Sequence, residues 1–267
     1  MVPASDAGLR RFPGWLVLLA GVGVAALVLP LAGLLIRTPW PDLPGLLTDP
    51  ATGQAVLLSM ATATVATVVM LLLGVPFAIL LSRPGLRGAA LLRALVTVPL
   101  VLPPVVGGVA LFAAMGRSGV IGRPLYDWTG WSMPFTPYAV VAAQVFVAMP
   151  FVVLTVEGAL RQVDTRVVDA ARTLGAGPWR AVWQILLPMI RPSLVSGAVL
   201  GWARALGEFG ATITFAGNFP GTTRTLPLAV YAELQGQPDR AIGLAVIMFA
   251  LTVMVLVAVS RRWARPW

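Results

Sequence analysis

The sequence of 267 residues contains no cysteine and no histidine, and its 19 basic residues are all arginine, because lysine is also absent. Without cysteine the chain has neither a disulfide framework nor a thiolate metal site. Without histidine it lacks imidazole catalysis and most zinc chemistry. A Walker-type ATPase needs a lysine on the nucleotide phosphates. We therefore expect no catalytic residue and no metal here, and any ATP hydrolysis must occur on a partner.

Charged residues are scarce as well. They make up 11% of the chain, whereas a soluble domain carries about 25%. Five blocks without any charge have the length of roughly 20 residues that a membrane span needs, and a sixth, 192–215, contains only Arg204 and Glu208. The sequence predicts an all-α polytopic membrane protein with six transmembrane helices, at about 14–36, 55–82, 94–115, 138–160, 193–215 and 241–260.

The same pattern divides the chain into an N-terminal segment, 1–50, a transmembrane domain, 51–260, and a tail, 261–267. The longest connection inside the domain is 161–191. Arg10 and Arg11 precede an apolar run as in a secretory signal, but the run exceeds the 7–15 residues typical of such signals and no small-residue cleavage site follows. We interpret the run as the first span, retained in the mature protein.

The arginines are distributed unevenly between alternate connections. The N-terminal segment, the second and fourth connections and the C-terminus hold thirteen, whereas the intervening connections hold five. Basic flanks stay on the cytoplasmic side of a membrane. This asymmetry places both termini and the loop 161–191 in the cytoplasm, and it accounts for the net charge of +9 without a nucleic-acid partner.

Helix-breaking residues interrupt the third span. Pro99, Pro103 and Pro104 lie inside it and are followed by Gly107 and Gly108. Such residues are tolerated in membranes where neighbouring groups or water satisfy the freed backbone. They indicate either a packing kink or a segment that lines a pathway.

The fifth span has the only charges inside a predicted helix core. Arg204 and Glu208 are four residues apart and can pair on a helix, although each costs about 2.5–3.5 kcal/mol at a span centre. On a continuous helix they share a face with small residues: Gly197, Gly201, Ala205 and Thr212. We expect this face to point into the bundle or toward a second copy. The pair either locks helices together, lines a path or gate, or snorkels to an interface.

The loop 161–191 carries a short predicted helix, Val167 to Leu174. Gly175 is placed to end it in a left-handed conformation, and Pro178 suits the first turn of a following helix. These physical arguments leave two interpretations open: an inert elbow between spans, or a surface that a soluble partner grips.

This loop resembles the "EAA" loop of ABC-importer permeases, which reads Glu-Ala-Ala, three residues, Gly, nine residues, Ile-x-Leu-Pro. All seven positions keep the family's spacing, and Asp in place of Glu is the one departure: Asp169, Ala170, Ala171, Gly175, Ile185, Leu187 and Pro188. The resemblance implies a coupling helix that docks onto an ATPase subunit, and a type I importer permease fold.

A finer resemblance, over about 51–260, is to oxyanion permeases and among them to molybdate permeases. It rests on three segments, 99–107, 115–122 and 204–215, the last continuing through 222–227. Sulfate permeases share the Gly-Glu-aromatic-Gly segment, so sulfate, thiosulfate or tungstate remain alternatives to molybdate. The segment 211–214, Ala-Thr-Ile-Thr, and the loop 116–122 favour molybdate.

The resemblance implies alternating access in the inner membrane of a bacterium. Two copies of the chain would pair above two cytoplasmic ATPase subunits, which hold the ATP and Mg, and below an extracytoplasmic oxyanion-binding protein; the chain itself needs no cofactor. The predicted path or gate residues are Arg204, Gly207, Glu208 and Thr212. A secondary transporter or an intramembrane enzyme would be a different class, but the halves show no clear repeat and only Glu208 is acidic well inside a span.

Overall fold

The computed structural model of the protein describes residues 13–263, apart from the side chains of residues 165, 169, 172 and 259–263. Every regular element in this range is helical. The helices are α1 (Gly14–Ile36), a 3₁₀ turn (Trp40–Asp42), α2 (Leu43–Thr48), α3 (Pro50–Leu81), α4 (Ala89–Val101), α5 (Pro104–Met115), α6 (Gly122–Thr129), α7 (Pro137–Leu160), α8 (Thr165–Thr173), α9 (Pro178–Arg180), a π-helical segment (Ala181–Leu186), α10 (Leu187–Met189), α11 (Arg191–Leu206), α12 (Gly210–Ala216), α13 (Leu226–Leu234) and α14 (Pro238–Trp263).

Helix α7 is the centre of the bundle and packs along both α3 and α11. Glycines allow the close approach: a methyl group at Gly201 would lie 3.2 Å from Val152 and 3.3 Å from Met70, and one at Gly74 would lie 3.3 Å from Val153. Both Val152 and Met70 are fully buried. In contrast, α1 has no buried residue, so most of its apolar surface lies outside the packed bundle.

One end of the bundle is marked by a buried carboxylate. Arg93 of α4 donates from Nε to Glu157 Oε1 at 2.7 Å and from Nη2 to the carbonyl of Leu81 at 3.0 Å. Leu81 is the last residue of α3, and Glu157 is in the last turn of α7. Helices α3 and α7 therefore end side by side and run parallel. We call this the Glu157 end.

The opposite end is marked by Asp49 and Arg240. Asp49 caps the start of α3 and pairs with Arg240 in the first turn of α14, so these two helices begin at the same end, the Asp49 end. Helix α2 is held there too, because Leu46 packs in one cluster with Leu244 of α14. The link from α1 to α3 therefore lies at this end.

These contacts show how the chain runs between the two ends of the bundle. Between the end of α3 and the start of α7 the chain must cross once, through α4 and α5, and between the end of α7 and the start of α14 it must cross again. Among the described residues, α1, α3, α7 and α14 are each long and apolar enough to span a membrane, and α4 with α5 forms one of two bent pairs that qualify together. Counted with each bent pair as one span, the described residues provide up to six passes, which agrees with the predicted fold class.

The third pass is not the continuous helix predicted over 94–115. It consists of α4 and α5, whose axes are bent by 118°. Leu102 and Pro103 are extended between them, with ψ angles of 134° and 131°. Each precedes a proline, which disfavours the helical conformation sterically, and neither Pro103 nor Pro104 has an N–H for the helix ladder. Two consecutive prolines thus produce a break, which is more than a packing kink.

The fifth pass is also broken, whereas a single helix was predicted over 193–215. Helix α11 ends at Leu206, and α12 begins at Gly210 after three non-helical residues. At its other end α11 bends by 73° from the segment Pro178–Met189. Glu208 and Thr212 therefore do not continue the face that Gly197, Gly201 and Arg204 form on α11, and the predicted shared face was wrong beyond Leu206 because it assumed an unbroken period of 3.6 residues.

The remaining predicted spans correspond to helices with shifted ends. The range 14–36 is α1 itself, 55–82 corresponds to Pro50–Leu81, 138–160 to Pro137–Leu160 and 241–260 to Pro238–Trp263. Residues 261–263 of the predicted tail continue α14, and residues 1–12 and 264–267 lie outside the described part of the chain, including Arg10 and Arg11.

Candidate functional site

Glu208 joins the two halves of the broken fifth pass. Its Oε2 lies 2.7 Å from Nη1 of Arg204, in the last turn of α11. Its Oε1 accepts a hydrogen bond of 2.9 Å from the backbone N–H of Ala211, in the first turn of α12. The carboxylate therefore pairs with a cation at the end of one helix and satisfies an amide at the start of the next.

The burial of this carboxylate explains why it needs both partners. Glu208 is 1% exposed, and an unpaired carboxylate in such a position is strongly unfavourable. The guanidinium of Arg204 and the amide of Ala211 offset that desolvation. Arg204 itself keeps 30% of its side chain exposed, so the positively charged partner reaches the surface of the protomer while the negative one stays inside.

The two broken passes touch each other at their breaks. A methyl group on Gly210, the first residue of α12, would come within 2.6 Å of the Cβ of Pro104, the first residue of α5. Further along, a methyl group on Gly108 would lie 2.6 Å from the Cβ of Thr214 and 2.9 Å from the carbonyl of Ala211. Helices α5 and α12 thus pack backbone to backbone, and only glycine fits at these two positions.

Of the four predicted path residues, some lie at the protomer surface and others in its interior. Arg204 and Glu208 form an ion pair, as predicted. Gly207, between them in sequence, is exposed. Thr212 is fully buried, and its hydroxyl has no hydrogen-bond partner among the described residues. Of the small residues, Gly197, Gly201 and Ala205 are buried and so point into the protomer's own bundle.

The predicted cytoplasmic loop forms a short helix with a defined end. Helix α8 covers Thr165–Thr173, close to the predicted 167–174. Gly175 has φ +86°, the left-handed conformation expected of it, and the N–H of Ala176 bonds to the carbonyl of Ala171 at 2.9 Å. This i to i−5 bond is the pattern of a Schellman cap. Leu174 is 88% exposed beside it.

The seven residues of the loop motif have different environments. Ala170 and Gly175 are exposed and Ala171 is half-buried, whereas the side chain of Asp169 lies outside the described residues. Ile185 and Leu187 are half-buried, and Leu187 packs against the core cluster that contains Met70 and Val152. Pro188 is exposed and lies in the last helical turn before α11, Leu187–Met189. The first part of the motif thus forms a surface, and the second fastens that surface to the bundle.

A charged cluster at the Glu157 end was not predicted. Glu157, 4% exposed, accepts from Arg93 at 2.7 Å and from Arg161 at 3.0 Å. The sequence interpretation put Arg93 in a connection, but it lies within α4. One signal was available: Glu157 is the sole acidic residue at the end of an otherwise uncharged block on the arginine-rich side.

Asp49 organises the opposite end. Burial raises the pKa of its carboxyl, but hydrogen bonds from the Thr52 side chain and the Ala51 amide, with the charge of Arg240, outweigh burial and leave the pKa below 3.8. A lowered folded-state pKa stabilises the fold above pH 3.8 and ceases to do so as the pH falls through the lowered value. The ion pair of Asp49 and Arg240 between α3 and α14 is thus intact at neutral pH.

No group of three or more potential metal ligands occurs in the described part of the chain. The described residues instead form a bundle of apolar helices, two adjoining breaks with one ion pair, and an exposed capped helix on a loop.

The family match agrees with these features. Residues 74–266 match the model of the family described as "binding-protein-dependent transport system inner membrane component". This chain belongs to that family. It is thus a multi-pass protein of the inner membrane and a transport component of ABC systems, as the resemblance of its loop predicted.

The curated relatives of this chain include permease proteins of molybdenum and sulfate transport systems. The chain is 45% identical over 250 residues to the molybdenum transport system permease protein ModB of Mycobacterium tuberculosis, covering 94% of each chain. It is 46% identical over 213 residues to the protein of that name from Escherichia coli K12, covering 79% of this chain and 93% of the relative. The probable sulfate transport system permease protein cysT of Marchantia polymorpha is 32% identical over 251 residues, 92% of this permease and 87% of the relative.

Solved structures confirm the fold. A chain of the bacterial alginate ABC transporter, in complex with its alginate-bound periplasmic protein, aligns with a TM-score of 0.73 at 15% identity over 94% of both chains. A chain of the MetNI methionine ABC transporter in an inward-facing conformation aligns with a TM-score of 0.60 at 22% identity, over 78% of this permease and 92% of that chain. The predicted fold of an ABC importer permease is therefore confirmed.

Proposed function

We propose that this permease moves molybdate inward through the membrane by alternating access, driven by ATP hydrolysis on a partner. The observation that carries the proposal is the 45% identity to a molybdenum permease across 94% of both chains. The identity to the molybdenum permease is 13 percentage points higher than the identity to the sulfate relative, and this difference favours molybdate. Tungstate, which has the same shape and charge, is included in the expected substrate class.

The partners follow from the family and from the loop. We propose a pair of these chains, two ATPase subunits and an extracytoplasmic binding protein; the alginate relative was solved with its periplasmic protein. Helix α8 is the proposed contact for the ATPase, because its Schellman cap and the exposed Leu174 form a rigid, partly apolar surface beyond the bundle. The arginine asymmetry supports a cytoplasmic position for this loop and both termini.

The proposed path passes the two adjoining breaks. Arg204 presents positive charge at the protomer surface while its carboxylate partner is buried. The first turn of α5 lies against Gly210, and its exposed residues Val105 and Val106 carry amides that a helix start leaves without intrahelical partners. Arginine and the positive ends of helices both favour an anion. A tetrahedral dianion passing between two protomers would meet both.

Sulfate is the second candidate substrate, on the strength of the 32% identical relative. Uptake of labelled molybdate, tungstate and sulfate by cells with and without this chain distinguishes the candidates. We expect molybdate uptake to fall to background when the chain is absent and to return when it is expressed, with sulfate uptake unchanged. Loss of sulfate uptake alone would replace molybdate by sulfate in the proposal.

A further inference from the structure

An apolar groove of about 750 Å³ lies on the outside of the bundle near the Glu157 end. Helix α3 forms one wall through Leu72, Val75 and Ile79, and α11 forms the other through Val195 and Ala198. The segment 178–189 crosses the end of the groove. The groove belongs neither to the broken passes at Glu208 nor to helix α8.

The end of the groove has aromatic residues typical of a membrane interface. Trp179 and Trp183 are 72% and 54% exposed, with their ring centroids 5.3 Å apart. Their segment is bent by 73° from the axis of α11, so it runs close to the membrane plane when α11 crosses the bilayer. Tryptophans in this position sit at the level of the lipid headgroups.

The dimensions of the groove match one leaflet. Its wall on α3 extends from Leu71 to Leu80, nine residue steps that cover about 14 Å at about 1.5 Å each. Half of a hydrocarbon core of about 30 Å is about 15 Å. Arg83, a further turn along, is therefore at headgroup depth when the apolar wall is at acyl-chain depth.

Among the described residues that line the groove, Arg83 is the only charged one. It is exposed, and its guanidinium has no ion-pair or hydrogen-bond partner among the described residues. A guanidinium at the mouth of an apolar groove matches a ligand with an acyl chain and a negative headgroup. A second copy of this chain would have to place a carboxylate there, and the chain has only 10 acidic residues.

We propose that this groove binds one anionic phospholipid, with an acyl chain between α3 and α11, its glycerol region against Trp179 and Trp183, and its phosphate on Arg83. The site is independent of the transported ion. It joins the segment that follows helix α8 to the bundle, so the lipid supports the loop where it enters the membrane.

The test is native mass spectrometry of the permease complex released from membranes that contain equal phosphatidylglycerol and phosphatidylcholine. We expect the wild-type complex to retain phosphatidylglycerol preferentially. Arg83→Gln should reduce that preference about fivefold, the effect of one basic residue at an anionic lipid surface. Arg87→Gln is the matched control, since Arg87 is exposed on the same connection but does not line the groove. Equal preferences in the two variants would overturn the headgroup assignment.

A second variant tests the acyl site. Ala198→Trp fills the groove with a bulky side chain and should abolish retention of both lipids, while the complex remains assembled. Undiminished retention in this variant would show that the lipid sits elsewhere. Oxidation of a Val75→Cys variant tests whether a second copy of the chain occupies the groove instead. A disulfide between two copies would show that it does, and this result would overturn the proposal.

Discussion

Arg204 and Glu208 meet at a break in a membrane-crossing helix, with 2.7 Å between Nη1 and Oε2. The second oxygen of Glu208 binds the amide of Ala211 on the far side of the break. One buried carboxylate therefore bridges the end of α11 and the start of α12, and its cationic partner is at the protomer surface. The ion pair thus connects the two helices and is also a candidate gate element.

The first prediction concerns the two halves of this pair. Arg204→Gln leaves a buried carboxylate without its cation and should destabilise the permease by about 3 kcal/mol. Glu208→Gln keeps an oxygen for the Ala211 amide and should cost less, about 1–2 kcal/mol. Thermal unfolding of the purified complex measures both. Arg123→Gln, which removes an exposed pair of 3.8 Å with Asp127, is the control and should change stability little.

The same variants distinguish a role of the ion pair in the gate from a purely structural role. If the pair acts in the gate, complexes that fold should hydrolyse ATP without depending on the loaded binding protein. If the pair is only structural, the surviving complexes transport normally and only their amount or stability falls. Wild-type stability and wild-type transport in both variants would contradict both roles.

The second prediction tests the contact between the two broken passes. Gly108→Ala should abolish transport and lower stability, because its methyl group would collide with Thr214 and with the carbonyl of Ala211. Gly158→Ala is the matched control: it lies in helix α7, where a methyl group meets nothing within 4 Å, and alanine favours a helix by about 1 kcal/mol. Uptake and thermal unfolding should separate the two. Equal behaviour would mean that α5 and α12 are not packed through glycine.

The length of the apolar blocks was sufficient to predict six passes, because a span of hydrocarbon sets the length of a helix. The helix cap at Gly175 was also predicted correctly, since a glycine after a short helix is a local signal. The break at Pro103 was visible as a cluster of prolines, but neither the 118° bend between α4 and α5 nor the packing of α5 against α12 could be predicted from it. The break after Leu206 has no proline, and the hydrogen bond from the Ala211 amide to Glu208 that bridges it was not predictable from the sequence.

The ion pairs at the ends of the bundle were also not predictable from the sequence. The sequence placed Arg93 in a loop, because a charge interrupts an apolar block, yet a half-buried arginine can lie in a helix when a carboxylate from another helix meets it. That carboxylate, Glu157, is 64 residues away. Only the fold brings the two together.

The third prediction fixes which side of the membrane each end faces. Because the chain has no cysteine, single thiols can be introduced without background. Thr48→Cys and Asp239→Cys, both exposed at the Asp49 end, should react in intact cells with a reagent that cannot cross the membrane. Arg166→Cys in helix α8 should react only after the cells are opened. The reverse labelling would put both termini outside and remove the basis for ATPase coupling at α8.

The fourth prediction tests that coupling. Gly175→Pro cannot keep the φ of +86°, since proline holds φ near −65°, and Asp169→Arg reverses a charge on the same helix. Both variants should reach the membrane in normal amounts and lose uptake and association with the ATPase. Gly177→Ala, two residues further on, where φ is −65° and the space around it is open, is the control. Normal transport in both variants would show that the loop is only an elbow.

The most direct test of the whole account is uptake into proteoliposomes that contain this permease and its ATPase partner, with ATP inside and the binding protein outside. We expect molybdate to accumulate only when both ATP and the binding protein are present, and an excess of sulfate to leave the rate unchanged. Accumulation driven by an ion gradient without the ATPase, or no accumulation with every component present, would contradict it.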